Sequence, residues 1–236
     1  MKTRQPRAVI LLSGGLDSTT VLAIARSRGF RCNCLSFRYG QKQNIELARA
    51  ATIAGLMQAE QHMILRLDLD TIGGSALTSE IEVPKDREIQ EMDREIPATY
   101  VPGRNIIFLS HALAWAEVIG AVDIFLGINA VDYSGYPDCR PEFLQAFEQM
   151  ANLGTKAGST GKPFKLHAPL IDLTKKEIVE LGVKLGVDYS LTHSCYDPQG
   201  ELACGRCDAC TLRLKGFAEA GLQDPVRYVS KHSDCN

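Results

Sequence analysis

The amino-terminal region places a buried strand, a glycine turn and a helix in direct succession. The apolar run Ala8-Val9-Ile10-Leu11-Leu12 predicts a strand covered on both faces, as in a parallel sheet. It leads into the turn Ser13-Gly14-Gly15-Leu16-Asp17-Ser18, and residues 18–28 then carry apolar side chains at helical spacing. Gly29 stands where such a helix would end. This βα unit places the turn at the carboxyl edge of a sheet, where open α/β folds bind ligands.

Strand and helix patterns continue to alternate along the chain at the period of βαβ units. Further strands are predicted over 32–37, 63–67, 122–128 and 164–166, and helices over 44–56, 106–120, 140–153 and 174–185. The last helix opens with Thr174 and Glu177, the spacing of a capping box. We therefore expect an α/β fold with a doubly wound, parallel five-stranded sheet over residues 1–190. Residues 191–236 are expected to form a segment packed on the same domain.

The stretch from Asp68 to Tyr100 interrupts this alternation. It is rich in charged residues and has no clear hydrophobic period. One interpretation is a solvated surface excursion. The other is a mobile lid that orders over a bound substrate, because long loops in compact domains often serve as lids.

Composition limits the classes of partner. The chain has 236 residues and a formal net charge of −2, so no global positive field attracts it to nucleic acid or to a membrane. The first residues lack the apolar stretch of a signal peptide, and no apolar run approaches the length of a membrane span. We expect a cytoplasmic protein. In that reducing compartment, its eight cysteines are not expected to form a disulfide framework.

The glycine turn is suited to hold phosphate groups. Gly14 and Gly15 let the backbone turn sharply and approach an anion, and the free amides of the following helix point at the same place. The carboxylate of Asp17 is unexpected beside phosphates, so we expect it to hold Mg²⁺ or to fix the loop. A plain turn with serines as helix caps is the alternative. The predicted nucleotide contacts are Leu12, Ser13, Gly14, Gly15, Leu16, Asp17, Ser18 and Thr19.

Four of the cysteines cluster near the carboxyl terminus. Cys195, Cys204, Cys207 and Cys210 follow the pattern Cys-x8-Cys-x2-Cys-x2-Cys. Four thiolates at such short spacing can surround one tetrahedral Zn²⁺, and closed four-sulfur sites are structural rather than catalytic. An iron–sulfur cluster uses the same ligands, and unrelated free thiols are a third interpretation. The spacing favours one structural zinc ion per chain.

Three further segments lie where predicted strands end and helices begin. The first, residues 37–41, contains Tyr39 and Gln41, and the second places Arg104 at a helix start, where an anion is favoured. The third is the loop over residues 127–140, which combines carboxylates, aromatic rings, glycine and proline. Such a mixture suits a flat polar heterocycle, although a well-capped loop has the same composition. The candidate substrate contacts are Tyr39, Gln41, Asp132, Tyr133, Asp138 and Arg140.

The turn Ser13-Gly14-Gly15-Leu16-Asp17-Ser18 resembles the pyrophosphate loop of the PP-loop ATP pyrophosphatases. Those enzymes, which share an adenine nucleotide alpha-hydrolase-like fold, cleave ATP between its α- and β-phosphates to adenylylate an oxygen. The sequence from Pro169 to Ile178 is similar to a second element of that superfamily, in which a lysine at a helix start faces the phosphates. Lys175 matches that lysine. The resemblance implies that ATP is the nucleotide. Since Arg104 and Lys175 with Mg²⁺ can stabilise the charge that develops during adenylylation, we expect Asp17, Arg104 and Lys175 to be the catalytic residues.

Taken together with the four cysteines, these segments resemble the 7-cyano-7-deazaguanine synthases of queuosine-precursor biosynthesis. The similarity runs from about Ala8 to Phe217. It implies that ATP activates the carboxylate of 7-carboxy-7-deazaguanine, that ammonia gives the amide, and that a second activation dehydrates the amide to the nitrile. It also implies a zinc-binding homodimer that needs neither nucleic acid nor a membrane.

Two other functions remain open from the sequence. A PP-loop tRNA thiolase also combines this loop with cysteines, but it would need a basic RNA-binding surface, which the net charge of −2 does not favour. A zinc-ribbon nucleic-acid-binding module is the other alternative. It leaves the loop from Tyr133 to Arg140 without a role.

Overall fold

A computed structural model describes residues 5–41, 45–88, 96–129 and 136–229 of the chain. Within these ranges, parallel strands alternate with α-helices, as the sequence predicts. The strands are β1 (Arg7–Leu11), β2 (Arg31–Arg38), β3 (Gln61–Arg66), β4 (Asp123–Phe125) and β5 (Lys165–His167). The helices are α1 (Leu16–Ser27), α2 (Ile45–Leu56), α3 (Arg104–Ile119), α4 (Pro141–Gly154), α5 (Lys156–Ser159), α6 (Lys175–Lys184) and α7 (Asp208–Glu219).

The five strands form one sheet with the order β3-β2-β1-β4-β5. All four neighbouring pairs are parallel. The chain moves outward from β1 in one direction to β3, then returns to the other side of β1 to build β4 and β5. The strand order therefore reverses at β1, and the carboxyl ends of β1 and β4 flank the crevice in which such sheets bind ligands. The predicted doubly wound sheet is confirmed.

Helices cover both faces of the sheet because side chains alternate along each buried strand. Val9 of β1 belongs to the core on the face covered by α3 and α4. Ile10, its neighbour, belongs to the core on the opposite face, together with residues of α1, α2, α6 and α7. Both side chains are fully buried.

The fourth strand is shorter than predicted. We expected a strand over residues 122–128, but β4 spans only Asp123–Phe125. The chain then leaves the ladder and approaches the start of α1, where a Cβ added to Gly127 would lie 3.0 Å from the Ser18 nitrogen. Close packing against α1 therefore ends the strand, and glycine permits it.

The irregular segment after β3 is partly buried and partly exposed in its described part. Ala76 and Leu77 are buried and belong to the core beside α3. The Ala76 nitrogen also donates to the carbonyl of Ala98 at 2.7 Å. Ile72, Ile81 and Ile96 are exposed, so the interpretation of residues 68–100 as a solvated excursion holds for only some of them, and the lid motion stays a prediction.

Three consecutive residues of this segment attach it to the cysteine region. Lys85 pairs with Asp197 at 2.6 Å, Asp86 pairs with Arg206, and Arg87 pairs with Asp208 at 2.8 Å. Lys85 also forms a β-bridge with Cys207. The exposed pairs are each worth little energy, but together with the bridge they fix where the two segments meet.

The carboxyl-terminal segment packs closely on the domain. A Cβ added to Gly216 of α7 would lie 2.8 Å from the Cβ of Lys175 in α6, so the two helices are in contact. Lys175 starts α6 beside the predicted capping box, which is confirmed: Thr174 and Glu177 hydrogen-bond each other's backbone amides. The position of Lys175 is thus set by its own helix and by α7.

We predict that Gly182→Ala destabilises the protein although alanine favours helices. Gly182 is buried in α6, and an added Cβ would overlap the hydroxyl of Tyr189, which lies 2.8 Å from Thr20 Oγ1 and donates to the Ile178 carbonyl. Overpacking of this kind costs about 1–3 kcal/mol.

The matched control is Gly55→Ala in α2, where nothing lies within 4 Å of the added Cβ. That change should raise the free energy of unfolding by about 0.4–1 kcal/mol. Urea denaturation measures both variants. Effects of the same sign would contradict the packing described for Gly182.

Candidate active site and metal centre

A cavity of about 270 Å³ lies at the carboxyl edge of the sheet, where the strand order reverses. Its lining comes from parts of the chain that are far apart in sequence. They include the glycine turn, the end of β2 with the start of α2, the start of α3, the residues after β4, the start of α6, the segment that contains the first cysteine of the cluster, and the start of α7. The predicted phosphate loop, Arg104 and Lys175 therefore share one cavity.

The glycine turn is shaped by its contact with α2. Gly14 has a φ of +88°, and an added Cβ would overlap the carbonyl of Glu46 and lie 2.8 Å from the Ala50 nitrogen. Only glycine satisfies both conditions at this position. Inside the turn, the hydroxyls of Ser13 and Ser18 are 3.0 Å apart, which holds the loop in a compact form.

Most of the predicted nucleotide contacts reach the cavity. Its lining includes Leu12, Ser13, Gly15, Leu16, Asp17 and Ser18. Gly14 instead packs against the backbone of α2. Thr19 is buried, and its hydroxyl donates to the Gly15 carbonyl at 2.8 Å. We expected the Thr19 hydroxyl to add a donor for phosphate; the helix uses it instead, because a threonine hydroxyl can bond the carbonyl four residues earlier.

Asp17 and Lys175 form an ion pair in the cavity wall. Lys175 Nζ donates to Asp17 Oδ2 at 2.6 Å. The other carboxylate oxygen, Asp17 Oδ1, is buried and has no hydrogen-bond partner in the part of the chain that the structure describes. A buried carboxylate oxygen without a partner is suited to a cation, so the chemistry of this site fits Mg²⁺ bound together with a phosphate.

Arg104 also lines the cavity and lies among aromatic and acidic groups. It starts α3 and hydrogen-bonds the hydroxyl of Tyr39. Burial raises the pKa of Tyr39 above its usual value, although the positive charge of Arg104 acts in the opposite direction. Burial raises the pKa of Glu46 to about 7, while the charge of Arg104 acts in the opposite direction. The cavity therefore contains a fixed cation and a carboxyl group that can exchange a proton at neutral pH.

Other predicted substrate contacts have structural partners. Gln41 lines the cavity, but its amide bonds the Tyr39 nitrogen at 2.6 Å and the Phe37 carbonyl at 3.1 Å. Asp138 is buried and accepts from the Asn105 nitrogen at 3.0 Å. Arg140 is exposed where α4 begins. Asp132 and Tyr133 lie outside the described residues.

Sequence reasoning missed Phe108 and Ser194, which line the cavity, whereas Tyr136 belongs to the predicted loop over residues 127–140. Phe108 stacks on Phe37 with ring centres 4.0 Å apart, and Tyr136 hydrogen-bonds Thr99. Phe108 lies one helical turn after Arg104, so helical spacing could have placed it on the same face. Ser194 could not be found in this way, because its partner is the Leu16 nitrogen, 178 residues earlier in the chain.

The four cysteines form one compact cluster. Their sulfur atoms lie within 4.8 Å of one another, and all four residues are buried. Backbone amides also point at the sulfurs: Cys204 N donates to Cys195 Sγ at 3.2 Å, and Cys207 N donates to Cys204 Sγ at 3.3 Å. Such amide contacts stabilise thiolates, so the donor set fits a metal ion bound by four sulfurs.

The four thiols are linked by hydrogen bonds that favour the thiolate form at one sulfur. Hydrogen bonds from Cys195 and Cys210 hold the pKa of Cys207 below its usual value. Cys207 is also the N-cap residue of α7. The pKa values of Cys195 and Cys210 are raised by the same contacts and by burial, so a cation that binds all four sulfurs must displace their protons.

The metal centre and the cavity share a wall. Cys195 lines the cavity, and so do its neighbours Ser194 and Tyr196. The cysteine cluster is thus next to the candidate site rather than at a distant edge of the fold. Among the described residues, no helix is both long and apolar enough to cross a membrane.

A solved structure has a similar overall architecture. NMN synthetase from Francisella tularensis superimposes with a TM-score of 0.51 at 15% identity, covering 94% of this chain and 79% of that one. At this identity the likeness concerns the architecture alone.

Comparison with other sequences is far more specific. Curated relatives from Syntrophotalea carbinolica (63% identical), Solidesulfovibrio magneticus (61%) and Myxococcus xanthus (60%) are each named 7-cyano-7-deazaguanine synthase. The matches cover 94%, 97% and 94% of this chain and 96%, 98% and 97% of the respective relatives. The profile of the family described as "Queuosine biosynthesis protein QueC" matches residues 7–221. The chain therefore belongs to the QueC family.

Proposed function

We propose that this chain uses ATP to convert 7-carboxy-7-deazaguanine and ammonia into 7-cyano-7-deazaguanine, a C–N ligase reaction in queuosine-precursor biosynthesis. Its relatives are named after this product, 7-cyano-7-deazaguanine. The observation that carries the proposal is that one cavity is lined both by a phosphate loop with a lysine and by an arginine among aromatic rings. We assign the triphosphate to the part of the cavity beside the loop and the lysine, and the flat acid to the part beside the arginine and the rings.

The reaction needs activation because a carboxylate is a poor electrophile. A carboxylate oxygen attacks the α-phosphorus of ATP, a new O–P bond forms, and the bond to pyrophosphate breaks. Ammonia then attacks the acyl carbon and AMP leaves, which gives the amide. A second ATP then activates the amide: a new O–P bond forms on the amide oxygen and a phosphate–phosphate bond of ATP breaks. The nitrogen gives up its two protons and the C–O bond breaks, so that the oxygen leaves on the phosphorus-containing group and the nitrile forms.

The residues divide between these two parts of the cavity. Lys175 supplies positive charge at the phosphate loop, and Asp17 Oδ1 with the ATP phosphates would hold Mg²⁺, which neutralises charge on the departing pyrophosphate. Arg104 supplies positive charge where the carboxylate is activated. Tyr39 and Phe108, whose ring centres are 5.5 Å apart, offer aromatic surface to the deazaguanine ring.

Recognition of the base edge is assigned to the loop after β4. Within it, Asp132 and Tyr133 stay predicted contacts of the ring. Asp138 acts indirectly, since its carboxylate accepts from Asn105 in the cavity lining. Gln41 acts in a similar way by holding the Tyr39 turn. Arg140 is exposed, and we leave it out of the site.

The metal bound by Cys195, Cys204, Cys207 and Cys210 is proposed to be one structural Zn²⁺. Four thiolates without an open position are typical of structural zinc. We further propose that the protein is a cytoplasmic homodimer and acts on small molecules without nucleic acid. The family assignment does not favour the tRNA thiolase or the nucleic-acid module considered above.

The proposed reaction predicts a specific product. With ATP, ammonium and 7-carboxy-7-deazaguanine, mass spectrometry should detect the nitrile. The matching deazaadenine acid should be consumed at least ~10⁴-fold more slowly, because a site that hydrogen-bonds ring N–H and amino groups rejects analogues without them. Equal turnover of both acids, or a requirement for added tRNA, would contradict the proposal.

The ion pair at the phosphate loop predicts a large effect of Lys175→Met. Loss of a cation that stabilises developing charge should lower kcat by about 10²–10³-fold. Lys176→Met is the matched control, because Lys176 is the next residue, is half exposed and pairs only loosely with Glu180 at 3.8 Å. Steady-state kinetics compares them. Similar kcat values for the two variants would remove Lys175 from catalysis.

The cysteine cluster predicts that Cys207→Ala lowers metal content and stability together. Elemental analysis of the purified wild-type protein should give one zinc per chain. The control is Cys34→Ala, which also removes a buried thiol, but from β2, so it should lower stability and leave the zinc in place. Iron with visible charge-transfer absorption, or full zinc in the Cys207 variant, would overturn the assignment.

A further inference from the structure

A short segment connects the metal centre directly to the phosphate loop. Cys195 is a proposed ligand, and the residue before it, Ser194, accepts a hydrogen bond from the Leu16 nitrogen at 3.2 Å. The nitrogen of His193 donates to the Gly14 carbonyl at 2.9 Å. Leu16 begins α1, so this bond fixes one of the amides at the helix start, beside the phosphate position.

The same segment is held from its other side by a buried arginine. Arg213 donates to Thr192 Oγ1 at 2.7 Å, to the Tyr189 carbonyl at 3.1 Å and to Ser194 Oγ at 3.5 Å. Its guanidinium is bound at both Nε and Nη2 by Asp224, and the two side chains are only 4% and 2% exposed. Buried, bidentate pairs of this type are geometrically specific.

Metal ligands lie at both ends of this arrangement. Cys195 follows Ser194, while Cys207 caps α7 and Cys210 lies within it, one turn before Arg213. A metal that joins these sulfurs fixes the segment relative to α7. It thereby fixes the distance from Arg213 to Ser194, and from Ser194 to the phosphate loop.

We propose that Ser194 and Arg213 are positioning residues through which the metal centre sets the shape of the ATP loop. Metal and ATP then stabilise each other's binding, because a coupling free energy between two sites acts in both directions. The inference rests on the proposed ATP site but not on the identity of the acid. A metal that only stabilised the fold would leave ATP affinity unchanged in a folded, metal-loaded variant.

The first test compares two serine variants of the metal-loaded protein. Calorimetry measures the Kd of α,β-methylene-ATP, an analogue that cannot be cleaved between its α- and β-phosphates. Ser194→Ala should raise this Kd about fivefold, the effect of one lost hydrogen bond. Ser190→Ala should not, because the Ser190 hydroxyl bonds only the exposed Asp188 among the described residues.

Two further measurements separate positioning from damage to the fold. Zinc content and unfolding temperature show whether Ser194→Ala remains folded and loaded, and Ser194→Thr, which keeps a hydroxyl, should restore part of the affinity. A loaded Ser194→Ala protein with the wild-type Kd would overturn the proposal.

The second test reads the coupling from the metal side and uses the wild-type protein. At equilibrium with the coloured chelator 4-(2-pyridylazo)resorcinol, the zinc Kd of the protein should be about fivefold lower with saturating α,β-methylene-ATP than without it. In Ser194→Ala, at equal saturation with the analogue, this difference in zinc Kd should shrink. A zinc Kd of the wild-type protein that is the same with and without the analogue would overturn the proposal while leaving the synthase activity intact. A wild-type protein that binds no analogue would overturn both.

Discussion

The site depends on the way the Ser13–Ser18 turn is held against three other parts of the chain. Gly14 packs on the backbone of α2, the end of β4 approaches the first turn of α1 through Gly127, and the backbone of His193 bonds the Gly14 carbonyl. Each contact involves backbone atoms, and at Gly14 no side chain could be accommodated. The turn is therefore preorganised before any ligand arrives, so binding energy need not be spent on ordering it.

The metal-binding segment is part of this support. It contributes a wall of the cavity, and α7 packs on the start of α6 at Lys175. Residues 85–87 attach the segment after β3 to the same region through three ion pairs. A cation in the cysteine cluster would thus fix several loops at once, which helps a short chain to build a cavity from many distant segments.

Patterns among residues that are close in sequence were sufficient to predict the architecture of the sheet and the cysteine cluster. The alternation of apolar runs predicted the sheet, the Thr174–Glu177 spacing predicted the start of α6, and the cysteine spacing predicted the cluster. Contacts between distant residues were not accessible in the same way. The pairing of Asp17 with Lys175 spans 158 positions, and nothing in the pattern around Asp138 indicated that its carboxylate would be buried against the start of α3.

The central claim is that ATP and the acid react in one cavity through an acyl-adenylate. Pyrophosphate exchange tests it most directly, because adenylylation is reversible while ammonium is absent. Labelled pyrophosphate should enter ATP only when 7-carboxy-7-deazaguanine is present, and the exchange should stop when the acid is omitted. Exchange that does not depend on the acid, or production of ADP and phosphate instead of AMP and pyrophosphate, would contradict the claim.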